Sequence, residues 1–154
     1  MKKYLVLALC LLILTVGHAQ NYTEYFANKT LRVDYIFTGD ASCQNVCLDE
    51  LSVLPSWAGR HQHLAELPLQ GNGQIIMKDL ESGKTVYTTS FSSLFQEWLE
   101  TDEAKVVSKG FENTFLLPYP LRPVEIEITL LSPRKEVRTC LKHTVRPDDV
   151  LIHQ

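Results

Sequence analysis

The sequence predicts an all-β chain: an antiparallel β-sandwich with one short helix, preceded by a signal peptide. Three observations carry that expectation. Apolar residues recur at every second position in several short runs, the period of a strand with one buried face. Clusters of Gly, Asn, Ser and Pro separate the runs, as turns between strands require. Helical patterns do not alternate with the strands, which disfavours a parallel sheet.

The first element lies outside the fold. Met1-Lys2-Lys3 is a basic head, Leu5 to Val16 an apolar run, and Gly17-His18-Ala19 supplies small residues for a signal peptidase. This divides the chain into a signal peptide, 1–19, and a sandwich domain, 20–154. It implies release to the cell envelope or the exterior, secreted or periplasmic. The apolar run is short for a bilayer span, and no second long one follows, so no stable membrane anchor is expected. Cys10 follows the bulky Leu9 inside the apolar run, an unsuitable setting for lipidation.

Seven short strands follow. Leu31, Val33, Tyr35 and Phe37 alternate with Arg32, Asp34, Ile36 and Thr38 before the Thr38-Gly39-Asp40 turn. Gln74 to Leu80 and Thr85 to Phe91 flank Glu81-Ser82-Gly83-Lys84, a hairpin. Ser93 precedes Leu94, Phe95, Trp98 and Leu99 at helical spacing, with Gln96 three residues beyond the cap. Glu112 to Leu117 is a strand, and Pro118-Tyr119-Pro120-Leu121-Arg122-Pro123 is a rigid connector or an edge, because its prolines remove ladder donors. Val124, Ile126, Ile128 and Leu130 make the clearest alternation. Ser132 to Lys135 turns the chain, Glu136 to Val145 returns, and Val150 to Ile152 is a short last strand. Cys43 to Leu69 reads as a long loop with a possible strand at Val46 to Leu48.

Composition bounds the function. The chain has 154 residues and a formal charge of −3, enough after signal removal for one domain. Basic residues are scattered, which argues against nucleic acid and anionic membranes as partners. Cys43, Cys47 and Cys140 remain after cleavage. They allow one pair and a free thiol, or no pair at all. Cys43 and Cys47 would bridge only if the chain between them folds back, and a zinc site there lacks a second pair of ligands.

No catalytic constellation emerges, and no catalytic, cofactor-binding or metal residue is assigned. His61, His63 and Glu66 form an apparent half-site whose third ligand would have to be His143 or His153. A zinc site needs at least three converging ligands, and the His-Glu-x-x-His signature does not occur. Ser90, Ser92 and Ser93 lack a Gly-x-Ser-x-Gly elbow and fit strand ends and a helix cap. Cys140 near His143 is expected to be a small core residue. Glu125 and Glu127 share one strand face, where pairing with Lys or Arg is expected. Gly71-Asn72-Gly73 lacks the Lys-Ser/Thr of a phosphate loop. Asn21-Tyr22-Thr23 and Asn28-Lys29-Thr30 match glycosylation sequons. Of the large aromatics Trp57, Trp98, Phe95, Phe115 and Tyr119, core packing is expected. Tyr119, between two prolines, is the candidate for an exposed platform.

Four segments resemble a known family. They are Leu31 to Gly39, Leu54 to Arg60, Leu67 to Ile75 and the block from Val86 to Leu131. Together they are similar to the N-terminal domain of secreted bacterial metallopeptidases of the M64, IgA-peptidase type, over about Tyr25 to Ile152. The resemblance implies an all-β module that precedes a zinc peptidase domain, and that other domain carries the zinc motif. No zinc ligand therefore transfers to this chain. The implied function is a non-catalytic accessory domain, its partner a C-terminal metallopeptidase domain of the same or a related polypeptide. The alternative is a stand-alone exported module that binds glycan or protein at the cell envelope. No cofactor is expected for either.

Overall fold

A computed structural model describes residues 21–66 and 70–154. The expected signal peptide, Cys10 and the segment Leu67 to Leu69 lie outside the described residues. The sandwich is as expected: two four-stranded sheets, one with strand order β5-β1-β2-β8 and the other β4-β3-β6-β7. In chain order the elements are α1 (Tyr22–Tyr25), β1 (Phe26–Gly39), β2 (Gln44–Leu54), β3 (Gly73–Asp79), β4 (Thr85–Phe91), α2 (Leu94–Trp98), β5 (Lys109–Pro120), β6 (Val124–Leu131), β7 (Val137–Val145) and β8 (Ile152–His153). One turn of 3-10 helix, Glu103–Lys105, precedes β5. All pairings are antiparallel except β2 with β8, where Leu51 faces Ile152 and Ser52 faces His153 in parallel.

The alternation in the sequence builds the core. Leu31, Val33, Tyr35, Phe37 and Leu117 project from one sheet; Ile75, Met77, Ile126, Ile128 and Leu130 project from the other. All are inaccessible to solvent. Burial of each large apolar side chain contributes about 1.5–3 kcal/mol. The helix cap also forms as the sequence suggests. Ser93 Oγ accepts from the Gln96 N–H at 3.3 Å, and its hydroxyl donates to Gln96 Oε1 at 2.9 Å.

Two expectations need correction, and one alternative is decided. The loop expected over Cys43 to Leu69 contains the eleven-residue strand β2. Of the two readings of Pro118-Tyr119-Pro120, connector or edge, the edge holds: the segment ends β5, an edge strand of its sheet. Proline is tolerated there because one side of an edge strand needs no donors. Cys140 is exposed rather than in the core. The parity that turns Leu141 and Val145 inward on β7 turns Cys140 outward.

The registers define two ends. Gly39, Gln44, Lys109, Gly73, Phe91 and Leu131 stand at the upper end; Phe26, Pro120, Asp79, Val124 and Val145 stand at the lower end. At the lower end, Leu121 N–H to Tyr25 O at 2.8 Å continues the pairing of β1 with β5, and Leu80 N–H to Pro123 O at 3.0 Å continues that of β3 with β6. The edge of β4 is covered by residues 57–64. Leu64 O accepts from Thr88 N–H at 2.9 Å, and the Arg60 guanidinium donates to Leu64 O and Thr88 O. Such cover keeps an edge from pairing with a foreign strand.

Candidate functional site

The residues that suggested chemistry are dispersed over the fold. His61 packs on the Tyr22 ring, with centroids 4.2 Å apart. His63 Nδ1 lies 3.3 Å from Glu66 Oε2, and both side chains are more than three-quarters exposed. His143 projects from β7 between the sheets, where its Nε2 is 2.6 Å from the Tyr35 hydroxyl. His153 faces Glu50 at 3.4 Å. Among the described residues no three His, Cys, Asp or Glu side chains converge on a position for an ion. The donor set therefore does not fit the zinc of a peptidase.

The cysteines do not converge either. The backbone from Gln44 to Cys47 is extended in β2, which separates Cys43 from Cys47 by roughly 13 Å at strand rise. A disulfide needs Cα atoms within about 7 Å; all three thiols are free and exposed. Glu125 and Glu127 meet cations, as their strand face suggests. Lys142 Nζ lies 2.9 Å from Glu127 and 3.8 Å from Glu125, and Lys78 Nζ lies 3.4 Å from Glu127. The hydrogen bond from Lys142, more than any other contact, lowers the Glu127 pKa. The sequon side chains serve the backbone: Asn21 Oδ1 caps α1, and Asn28 Oδ1 accepts from Trp57 N–H at 3.4 Å.

Tyr119 is not an exposed platform. It is 9 % accessible, and its hydroxyl donates to Pro147 O at 2.7 Å, so the turn after β7 covers the ring. Leu94, expected on the apolar face of the helix, is 72 % exposed, while Phe95 and Leu99 are buried. Phe95, Gln96 and Leu99 set the buried face of the helix, and Leu94 stands one residue step, about 100°, away from Phe95.

Two buried polar groups have shifted protonation. Burial lowers the His143 pKa to about 4 and raises that of Tyr35. The imidazole is therefore neutral at pH 7. Its Nδ1 is buried without a hydrogen-bond partner among the described residues. The pair is a strut between the sheets, joining β1 to β7.

A concave feature at the lower end has more capacity for a ligand. The β3–β4 turn is built by Asp79, whose buried carboxylate accepts from the Ser82 N–H and hydroxyl. The Ser82 hydroxyl is the chief cause of the lowered Asp79 pKa, against the opposing effect of burial. Gly83 closes the turn at φ +69, a conformation that glycine adopts without the Cβ penalty. The turn delivers Lys84 to the Tyr25 ring, with Nζ 5.3 Å from the centroid. Arg122, from the β5–β6 connection, brings its guanidinium within 5.8 Å of the same ring. Beside them is a cavity of about 350 Å³ lined by Asp79, Leu80, Glu81, Arg122 and Pro123. Sequence reasoning missed this group. Lys84 and Arg122 lie 38 residues apart, and each sits in an ordinary turn.

A second cavity, about 380 Å³, opens at the upper end between Asp40, Ser42, Lys105, Val106 and Ser108. Its carboxylate is occupied. Asp40 accepts from the Ser42 hydroxyl and N–H, the Ser108 hydroxyl and the Cys43 N–H. The Ser42 hydroxyl above all lowers its pKa to about 2.

Comparison with known proteins places this fold. No curated protein matches the chain. The family described as the peptidase M64 N-terminus matches residues 21–142. That stretch begins at the cap of α1 and ends within β7, so it takes in the two sheets except for β8 and the last three residues of β7. The chain belongs to the peptidase M64 N-terminus family.

Proposed function

We propose that the chain is a non-catalytic accessory domain of an exported bacterial zinc metallopeptidase. It packs against a catalytic domain of the same or a related polypeptide and assists that domain's folding or shapes access to its cleft. The supporting observation is the family match across residues 21–142, which spans the sandwich core. The dispersal of His61, His63, His143 and His153 over separate contacts agrees with a structural role for this module. Residues 1–19 act as its signal peptide, and the domain begins at Gln20.

Three experiments test this reading. The protein is mixed with the zinc-loaded catalytic domain of a two-domain M64 peptidase, and association is followed by sedimentation. The reading expects a complex, or a faster and more complete refolding of the catalytic domain; neither effect would overturn it. The protein alone is assayed against casein and gelatin with added zinc. No cleavage is expected, and chelator-sensitive cleavage would overturn the non-catalytic role. N-terminal sequencing of the exported protein is expected to start at Gln20.

A further inference from the structure

The lower end of the sandwich holds two cations on one aromatic ring. Lys84 Nζ is 3.4 Å from the Tyr25 hydroxyl and stands over the ring, which Arg122 also faces. Neither cation has an ion-pair partner among the described residues. Asp79 feels the charge of Arg122 across the cavity without forming an ion pair with it, and its carboxylate is engaged by Ser82. Tyr25 itself is fixed: it is 8 % exposed, and its carbonyl accepts from Leu121 N–H. The ring thus holds two positive charges in place without neutralising them.

The ground beside the cations is apolar. Leu80 and Leu121 are 46 % and 50 % exposed, and Leu80 and Pro123 wall the cavity. A cavity of this size lies at the small end of ligand sites, which suits one or two aliphatic side chains better than a cofactor. Glu81 on its rim repels a carboxylate from that side. The arrangement calls for an occupant with acidic groups next to an aliphatic one.

We propose that Tyr25, Lys84, Arg122, Leu80 and Pro123 form the docking site for an acidic stretch of the partner peptidase domain, with carboxylates on the two cations and an aliphatic side chain in the cavity. The choice of occupant rests on the accessory-domain reading above; the choice of chemistry rests on the unpaired cations and the apolar wall. A nucleic acid is disfavoured, because two cations on a chain of net charge −3 supply little attraction for a polyanion.

The test has two arms. In the first, the ¹⁵N-labelled protein is titrated with acetyl-Glu-Leu-Glu-Leu-Glu-amide and with its lysine counterpart. The acidic peptide is expected to shift the amides of Tyr25, Leu80, Lys84 and Arg122 saturably and the basic peptide to leave them in place. K84A/R122A is expected to weaken the acidic peptide by at least about tenfold, and added salt to weaken it further. Equal response to both peptides, or unchanged affinity in the double variant, overturns the site. In the second arm the catalytic domain replaces the peptide. Association with shifts elsewhere keeps the accessory reading and removes the site. Peptide binding without any association of the catalytic domain keeps the site and removes its assigned occupant.

Discussion

At the upper end of the sandwich, Phe37, Phe91, Phe95, Phe111, Phe115 and Trp98 contact one another, with centroid separations from 4.6 to 6.2 Å. At the lower end the aromatic residues are Tyr22, Tyr25, Phe26, Trp57 and Tyr87, and cations accompany them: Arg60 over Tyr87, Lys84 and Arg122 over Tyr25. The phenylalanine cluster seals its end with hydrocarbon, and the cation over it, Lys109 at 5.6 Å from the Trp98 ring, is paired with Glu103 at 2.7 Å. The tyrosine cluster keeps hydroxyls and charges at the surface, where they can face a partner. One end of this domain is organised for closure and the other for contact. Substitution should therefore damage stability at the first, whereas removal of the surface cations at the second should leave it nearly untouched.

The largest effect is expected at Phe95, which is completely buried and touches Phe37, Trp98 and Phe111. Phe95→Ala removes the contacts that fasten α2 to the sheets, at a cost of about 3–5 kcal/mol. Urea denaturation measures it. A loss below about 1 kcal/mol would show that the upper cluster is not what closes that end.

Between the ends lies the His143–Tyr35 strut, which acid should break. The folded pKa of His143, about 4, is below its unfolded value of 6.5. The folded state thus binds fewer protons than the unfolded chain between those values. The contribution is complete above pH 6.5, declines as pH falls through the window, and is gone below about 4. It amounts to at most about 3 kcal/mol. Asp79 and Asp40, whose pKa values are lowered, lose their contributions only as pH falls through the carboxylate range. Denaturation between pH 7 and 5 therefore isolates the histidine. His143→Gln, which does not titrate, should flatten the profile there; an unchanged slope would assign the acid sensitivity to another group.

Gln96 should rank next. It is 4 % exposed, and its amide donates to Asn72 O and to Leu131 O, joining α2 to the β3 and β6 ends. Gln96→Ala removes both bonds, with Asn72 O keeping only the Leu131 N–H, at about 1–3 kcal/mol. A smaller loss in thermal melts would mean that water replaces the amide.

Much of the fold was legible in the sequence because burial on one face imposes period two. Thr85 to Phe91 is a strand with the bounds that alternation gives, β3 is displaced by one residue at each end, and β6 runs one residue further than expected. The strand β2 was hidden for a physical reason. Val46 and Leu48 pair with the inward-facing Phe37 and Tyr35, although Leu48 stays exposed, and Leu51 and Val53 pair with Val33 and Leu31, but Asp49 is an extra residue between Tyr35↔Leu48 and Asp34↔Glu50. That bulge shifts the phase of the alternation by one, so a scan at fixed period sees loop. Tyr119 was misjudged because its cover, Pro147, comes 28 residues later. The lower-end patch was invisible for the same reason: Tyr25, Lys84 and Arg122 meet only when three connections converge at one end of the sandwich. Local pattern reports which side chains leave the water, and says little about which surface groups become neighbours.

The smallest effect on stability is expected at that patch, and it decides the comparison. Each cation–π contact at an exposed site contributes roughly 0.5–1 kcal/mol, and the mutual repulsion of two cations on one ring offsets part of it. Lys84→Ala with Arg122→Ala should therefore shift the urea midpoint by an amount equivalent to less than about 1 kcal/mol. Asp79, which holds the turn through Ser82, should behave differently: Asp79→Ala leaves the Ser82 N–H and hydroxyl without their acceptor and should cost more than the double variant. If the double variant instead loses more than about 2 kcal/mol, Lys84 and Arg122 are fastening α1 to the turns, and the two ends of the sandwich are both built for closure. If it is as stable as the parent, no folding requirement accounts for two unpaired cations on a buried tyrosine, and recognition is left as the reason for their placement.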